Sequence, residues 1–129
     1  MNELQLISDL HKYINTLGAM EYTLAPKNLI LGYKPINFWG GRPKFATLHG
    51  EKRYRCLILH VDPGNKNSAK GEMVQQQIQG ILHFDIRVMR TFPLKSNEVY
   101  VPLEVIDSKE NLQLLKGFIQ EQYTSFVKR

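Results

Sequence analysis

The chain has a single cysteine, Cys56, among its 129 residues. No internal disulfide and no cluster of cysteine ligands can form, a usage typical of reducing compartments. No apolar run approaches the roughly 20 residues of a membrane span. The N-terminal segment MNELQLISDL has early acidic residues and no continuous apolar stretch, unlike a secretory signal. We therefore expect a cytoplasmic protein with no membrane partner.

Catalytic signature motifs are also missing. The sequence has no G-x-S-x-G, no P-loop, no G-x-G-x-x-G and no carboxylate followed by E-x-K in a strand. The hydrolase, nucleotide, dinucleotide and restriction-nuclease sites that these motifs build are therefore not indicated. Cys56 lies in an apolar strand pattern, where a free cysteine is most often an inert core residue. We expect a binding module rather than an enzyme, with no cofactor.

Acidic residues are scarce in one segment, which runs from residue 33 to residue 55 and is here called the basic segment. It has six basic side chains against one acidic side chain, a net charge of +5, and the whole chain is also +5. It also holds five of the aromatic residues: Tyr33, Phe38, Trp39, Phe45 and Tyr54. Such a segment attracts phosphates and can stack bases, so we predict weak, nonspecific binding of DNA or RNA. The predicted contact residues are Lys34, Trp39, Arg42, Lys44, Lys52, Arg53 and Arg55.

Three other interpretations of the sequence stay open. The charges could form a solvated face, or a surface that recognises an acidic protein, since hairpin tips are often charged for solubility. Two His-x-Asp pairs, His60/Asp62 and His83/Asp85, supply ligand types that suit zinc or iron in a metal-dependent hydrolase. Asp62 begins an Asp-Pro-Gly turn, which commonly uses the aspartate side chain itself. We therefore expect no bound metal.

Hydrophobic periodicity predicts a helix near each end of the chain. Apolar residues recur at steps of three and four over residues 3–17 and again over 108–126, as on one face of a helix. Asn2 and Ser108 stand where N-capping side chains belong. Gly18 stands where many helices end in a left-handed residue.

Between the helices the period changes to two, which predicts about five strands. They are assigned to residues 29–33, 44–49, 57–61, 82–88 and 98–105. Pro102 places the last strand at an edge, or with its proline amide facing outward. The polar, glycine-punctuated segment 62–80 is expected to be a mobile insertion, with at most a short helix over 72–79.

Short connections favour an antiparallel sheet, and two helices with one apolar stripe each must cover the same face. We therefore predict a single domain, residues 1–129, of the α+β class. It has two layers: an antiparallel sheet of about five strands, with the N- and C-terminal helices packed on one face. Phe84 and Ile86 are expected to be buried together with both helices.

Several short motifs resemble the small MmcQ/YjbR-like domains and related uncharacterised domains. The matching residues are Lys27-Asn28, Ile30, Tyr33, Phe45-Ala46, Tyr54, Leu57, and Ile119 four residues before Tyr123. Gln122, where a serine is usual, and the 62–80 segment depart from the pattern. The resemblance implies a CyaY-like fold, with helices on one side of an antiparallel sheet, and a DNA-binding role without established chemistry. It does not imply iron binding, because the carboxylate ridge that frataxins use is missing near the first helix.

Overall fold

The computed structural model describes residues 2–36, 43–52, 55–89 and 93–128, within which five strands form one antiparallel sheet flanked by helices. The helices are α1 (Glu3–Asn15), α2 (Ala69–Leu82), α3 (Ile86–Met89) and α4 (Lys109–Val127), and the strands are β1 (Met20–Ala25), β2 (Ile30–Pro35), β3 (Ala46–His49), β4 (Cys56–Leu59) and β5 (Val99–Pro102). Strand order follows chain order, and each neighbouring pair is antiparallel. The predicted α+β class is confirmed.

One face of the sheet, here called the inner face, is apolar across β2 to β5. Two rows of residues in register form it: Leu31, Leu48, Leu57 and Val101, then Tyr33, Ala46, Leu59 and Val99. All of them are buried in one core cluster, to which α1 contributes Leu10 and Ile14 and α4 contributes Leu115 and Ile119. The terminal helices therefore pack on the same face of the sheet, as predicted.

Capping side chains set the first residues of both terminal helices. The Asn2 side chain accepts a hydrogen bond from the Leu4 amide at 2.9 Å, and the Ser108 hydroxyl accepts one from the Asn111 amide at 3.1 Å. Both predicted caps are confirmed. The expectation for Gly18 was wrong, because α1 ends earlier and Gly18 does not have a positive φ. A Cβ at this position would collide with the Tyr123 hydroxyl, so a larger residue would require the Tyr123 side chain to move.

The prediction for residues 62–88 was wrong in two places. Most of the expected mobile insertion is α2, whose first turn is capped by the Ser68 hydroxyl accepting from the Gly71 amide at 2.8 Å. The expected strand at 82–88 is the end of α2, a turn at His83 with φ 59°, and α3. Val74, Ile78 and Leu82 recur every four residues and are buried, so they form the apolar stripe of a helix. Leu82 therefore belongs to this helix and is not the first residue of a strand.

The residues of that expected strand separate in space. Ile86 is buried in a second, smaller cluster with Cys56 and Tyr100, while Phe84 is half-buried between the two clusters. Val88 was expected to face inward but is 83% exposed. The expectation that Phe84 and Ile86 are buried together with both terminal helices was therefore wrong. The turn at His83 directs the chain to the other face of the sheet.

Of the two edge strands, the sequence predicted β5 but not β1. β5 is at one edge, as Pro102 predicted, and the strand ends there before a short 3₁₀ turn at Leu103–Val105. β1 was missed, although Met20, Tyr22 and Leu24 alternate with more polar residues. Its six residues are too exposed to show the strong apolar pattern that marks an inner strand.

Candidate functional site

The face of the sheet opposite α1 and α4, here called the outer face, carries the polar side chains of the strands. On β3 it presents Thr47 and His49, whose neighbours Leu48 and Ala46 face the core. Over β4 and β5 it is covered by the small apolar cluster that includes Ile86. The outer face is therefore a polar surface with an apolar patch at one side.

A chain of hydrogen bonds, here called the His60 network, joins β3, the end of β4 and the start of β5. His60 Nδ1 lies 2.7 Å from a carboxylate oxygen of Glu98, and His60 Nε2 lies 2.9 Å from the Thr47 hydroxyl. The Tyr100 hydroxyl donates to the other Glu98 oxygen at 2.9 Å and accepts from the Lys95 amide at 3.0 Å. Because the carboxylate can only accept, Nδ1 carries a proton. The network ties three segments distant in sequence.

Burial and hydrogen bonding set the charges in this network. The hydrogen bond from His60 lowers the pKa of the Glu98 carboxyl below its usual value, against the opposing effect of burial. Burial raises the pKa of the Tyr100 hydroxyl, so it stays protonated and donates. Glu98 is therefore a carboxylate at neutral pH, with both oxygens occupied by internal donors.

A hydroxyl, an imidazole and a carboxylate in series are also the groups of a nucleophilic triad, and the order Thr47, His60, Glu98 matches that chemistry. Thr47 is only 5% exposed. A substrate atom would have to reach its hydroxyl to be attacked, and the burial leaves no approach for one. The series acts here as a structural tie between strands.

Three clefts meet at Lys95 and Glu98. The largest, about 420 Å³, runs between α2 and the residues before β5, and a second of about 310 Å³ lies over Cys56 and Tyr100. The third, about 220 Å³, is here called the lysine cleft and is lined by Lys44, His60, Pro63, Gly64, Lys95, Asn97 and Glu98. The lysine cleft joins the basic segment to the His60 network.

Two lysines reach the lysine cleft from different parts of the chain. Lys44 precedes β3, and its ammonium nitrogen lies over the bare backbone of Gly32, 3.2 Å from where a Cβ would stand. Lys95 precedes β5 and is exposed. Among the described residues neither lysine forms a salt bridge, and the carboxylate beside them already accepts from His60 and Tyr100. Lys95 also helps to lower the pKa of the Glu98 carboxyl through its charge, so the cleft presents two cationic side chains, one of which already interacts electrostatically with a carboxylate.

The four predicted nucleic-acid-binding residues that the structure describes do not form one patch. Lys34 and Lys44 lie at the end of the sheet near the lysine cleft, while Lys52 and Arg55 flank the β3–β4 turn at the opposite end. Arg55 is already engaged, since it forms a salt bridge with Glu3 at 2.9 Å and donates to the Gly50 carbonyl at 3.1 Å. The predicted residues Trp39, Arg42 and Arg53 lie outside the described residues.

The aromatic part of the prediction is divided in the same way. Tyr33 and Phe45 are fully buried in the core and cannot stack on a base. Phe45 instead packs against Tyr123 and Phe126 of α4, with ring centroids 5.4 and 5.2 Å apart. Phe38, Trp39 and Tyr54 lie outside the described residues.

The two His-x-Asp pairs are engaged in separate local contacts. His60 belongs to the network above, while Asp62 accepts from the Asn65 side chain at 2.9 Å and from the Ser68 hydroxyl at 2.7 Å. His83 is the left-handed residue that ends α2, and Asp85 accepts from Arg87. Within the described ranges, no group of three or more His, Cys, Asp or Glu side chains could hold a metal ion.

His49 and Cys56 lie opposite each other on neighbouring strands, beside the second cleft. Burial lowers the pKa of the His49 imidazole, and in the described structure its Nδ1 atom is buried without a hydrogen-bond partner. The Cys56 thiol is buried and points toward the Leu57 carbonyl at 3.4 Å. The thiol is therefore enclosed, and burial favours the neutral form of the imidazole.

Sequence reasoning missed Lys95 and Glu98, which line all three clefts. They stand in a polar stretch, LKSNE, with no spacing that marks a site. Glu98 was treated as an outward residue of an alternating strand. The useful signal was His60, which was identified for its spacing to Asp62 rather than for this partner.

No protein-family model, curated protein or solved structure matches this chain. The resemblance to MmcQ/YjbR-like domains therefore stays a prediction. In the described part of the chain, no helix combines the length and the apolar character needed to cross a membrane.

Proposed function

We propose that this protein binds nucleic acid weakly, through phosphate contacts at the lysine cleft. The observation that carries the proposal is the convergence of Lys44 and Lys95 on one cleft of about 220 Å³ without a salt bridge for either lysine within the described residues. A phosphate bound there would lie beside the side chains of both lysines. The carboxylate in the cleft, Glu98, already accepts hydrogen bonds from His60 and Tyr100, and Lys95 acts on it through its charge without a salt bridge in the described residues.

The charge of the surroundings supports an anionic ligand with many phosphates. The chain carries +5 overall, and the basic segment that contains Lys44 accounts for an equal excess. Lys34 lies on the same outer face, one strand away, although its register partner Glu21 offsets part of its charge. A polyanion that passes the lysine cleft could therefore meet further cations along the sheet.

The buried aromatic rings shape the expected binding mode. With Tyr33 and Phe45 in the core, the described residues of the basic segment offer cations rather than stacking rings. Binding that depends on phosphates alone is nonspecific, has a dissociation constant of roughly 1–100 μM at physiological salt, and weakens steeply as salt rises. We therefore expect similar affinities for different base sequences.

The test is fluorescence anisotropy with labelled single-stranded DNA, single-stranded RNA and duplex DNA of about 20 nucleotides, at salt concentrations from about 20 to 200 mM. The site variant is Lys44→Glu with Lys95→Glu. The matched control is Lys27→Glu with Lys109→Glu, which makes the same charge change at two exposed lysines outside the lysine cleft. We expect the site variant to lose at least tenfold in affinity and the control to lose less than threefold, in keeping with a local phosphate site.

Three results would contradict the proposal. The first is equal loss in both variants, which would mean that net charge alone attracts the nucleic acid. The second is affinity that does not change with salt. The third is no binding of any of the three nucleic acids at low salt, after which an acidic protein becomes the leading partner for this surface.

A further inference from the structure

The first strand presents an open edge. β1 is the outermost strand on its side of the sheet, and every residue from Glu21 to Ala25 is exposed. Tyr22 and Leu24 are 51% and 48% exposed although both are large and apolar. Within the described residues, β1 pairs with β2 alone. An edge of this length, with apolar side chains, is a template for a further strand.

The hydrogen bonds of the sheet show which backbone groups of β1 point outward. The Ile36 amide donates to the Ala19 carbonyl at 2.9 Å, and the next pair along joins Met20 to Pro35, which has no N–H. Antiparallel pairs alternate between bonded and non-bonded. It follows that Glu21, Thr23 and Ala25 bond to β2, while the N–H and C=O groups of three residues point away from the sheet: Met20, Tyr22 and Leu24.

The opposite edge of the sheet is closed. The Tyr100 amide donates to the Gln75 side chain at 2.7 Å, and the Gln75 side-chain amide donates to the Tyr100 carbonyl at 3.0 Å. Pro102, two residues further along β5, has no N–H to offer. The edge of β5 is therefore unsuited to pairing with the β1 of another copy, and head-to-tail stacking of sheets into a fibre is blocked.

We propose that β1 is the dimer interface of this protein and pairs antiparallel with the β1 of a second copy, centred on Tyr22. In this register Tyr22 stands opposite Tyr22 of the second copy, and Met20 stands opposite Leu24 of the second copy at both ends. All of these residues have outward-pointing backbone groups, so each pair exchanges two hydrogen bonds. The result is one continuous sheet with a twofold axis, in which both outer faces lie on the same side.

Neighbouring registers fit less well. Centring on Glu21 puts two carboxylates directly opposite each other at the closest strand spacing, which is destabilising. Centring on Thr23 puts Met20 opposite Pro26, whose missing N–H removes hydrogen bonds at both ends. In the Tyr22-centred register, Glu21 instead faces Thr23 of the second copy, so no like charges meet.

The interface is small, which sets the expected affinity. Pairing two edge strands of six residues buries less than the roughly 1,200 Å² of a standard interface, so we expect a monomer–dimer equilibrium with a dissociation constant of about 10 μM to 1 mM. The inference rests on β1 alone and does not depend on nucleic-acid binding. Each can therefore fail without the other.

Sedimentation equilibrium over about 10 μM to 1 mM protein tests the dimer, with Leu24→Lys as the disrupting variant. Leu114→Lys is the matched control, because Leu114 lies on α4 and is 43% exposed against 48% for Leu24. We expect Leu24→Lys to weaken the dimer at least tenfold, since charged side chains at an edge oppose strand pairing. Leu114→Lys should leave it unchanged.

A charge pair at residue 23 tests the register. Thr23→Lys places a lysine opposite Glu21 of the second copy at both ends of the interface and should tighten the dimer roughly twofold to tenfold, whereas Thr23→Glu should weaken it. Amide exchange measured by NMR should show Tyr22 and Leu24 protected only at high protein concentration. A monomer over the whole range would overturn the proposal, as would equal effects of Leu24→Lys and Leu114→Lys or equal effects of the two Thr23 variants.

Discussion

On β4, Leu57 points to the inner face and is fully buried between the sheet and the helices, whereas Ile58 points to the outer face and is half-buried under the smaller cluster. The same contrast holds across the sheet. Across β2 to β5 the inner face is apolar apart from the Tyr33 hydroxyl, which bonds to His11 at 2.8 Å. The outer face carries Thr47, whose hydroxyl bonds to the His60 imidazole. Because the helices pack on the inner face, the outer face of the sheet can carry charged and hydrogen-bonding groups.

The largest expected effect tests the inner face. Leu57→Ala removes a fully buried side chain from the main cluster and should lower the free energy of unfolding by about 2–5 kcal/mol, because the transfer term and the cavity add. Urea denaturation at neutral pH measures it. Ile58→Ala is the matched control on the same strand, and its half-buried side chain should cost less. An equal or greater loss for Ile58 would break the comparison between the two faces.

A smaller effect is expected in the His60 network. Glu98→Gln leaves the His60 imidazole without its carboxylate, and we expect a loss of about 1–3 kcal/mol in the free energy of unfolding at neutral pH. The wild-type contribution should also depend on pH. Because the hydrogen bond from His60 lowers the pKa of folded Glu98, that stability is complete above the unfolded value near 4.5 and is lost as pH falls through the lower folded value.

Urea denaturation at a series of pH values from about 7 to 3 separates the contribution of Glu98 to stability from that of the other carboxylates. The wild type should lose more stability below pH 4.5 than Glu98→Gln does. Leu57→Ala provides the control, since removing an apolar side chain should shift the whole pH curve without changing its shape. Parallel acid losses in the wild type and Glu98→Gln would mean that other carboxylates dominate the acid response.

The smallest expected effect tests the edge of the sheet at β5, which the Gln75 side chain covers. Gln75→Ala removes both hydrogen bonds between that side chain and the Tyr100 backbone, and water can replace them, so we expect a loss of about 1 kcal/mol. Exchange of the Tyr100 amide should become faster. The exposed neighbour Gln76 serves as the control, because Gln76→Ala should change neither quantity. An unchanged Tyr100 exchange rate in Gln75→Ala would show that the edge is closed by packing instead.

Much of the fold could be predicted because its signals are local. The stripes of α1 and α4 and the alternation in β2 to β5 are visible in neighbouring residues, and each element buries the side that the pattern indicates. The strand predicted at residues 82–88 was wrong. Phe84 and Ile86 alternate with polar residues as in a strand, but the chain turns at His83 and passes to the outer face. β1 was missed because an exposed edge needs no strong pattern.

The candidate site was predicted only in part. Lys44 and His60 were identified, one for its charge and the other for its spacing to Asp62. Their partners Lys95 and Glu98 come from a stretch with no distinctive pattern, and nothing local indicates that this stretch returns to the end of β4. Arg55 was expected to contact nucleic acid, but a salt bridge to Glu3, far away in sequence, engages it.

By itself the sequence determined the class of the fold, the two terminal helices with their caps, the edge position of β5 and the excess of positive charge between residues 33 and 55. These follow from periodicity, side-chain capping and composition, which depend on residues close together in the chain. Only the tertiary structure decided which charges meet. It placed Lys44 and Lys95 at one cleft and divided the described residues of the basic segment between two ends of the sheet. It also paired β1 with β2 alone among the described residues, while Gln75 closed the edge of β5. Such contacts depend on how distant segments pack.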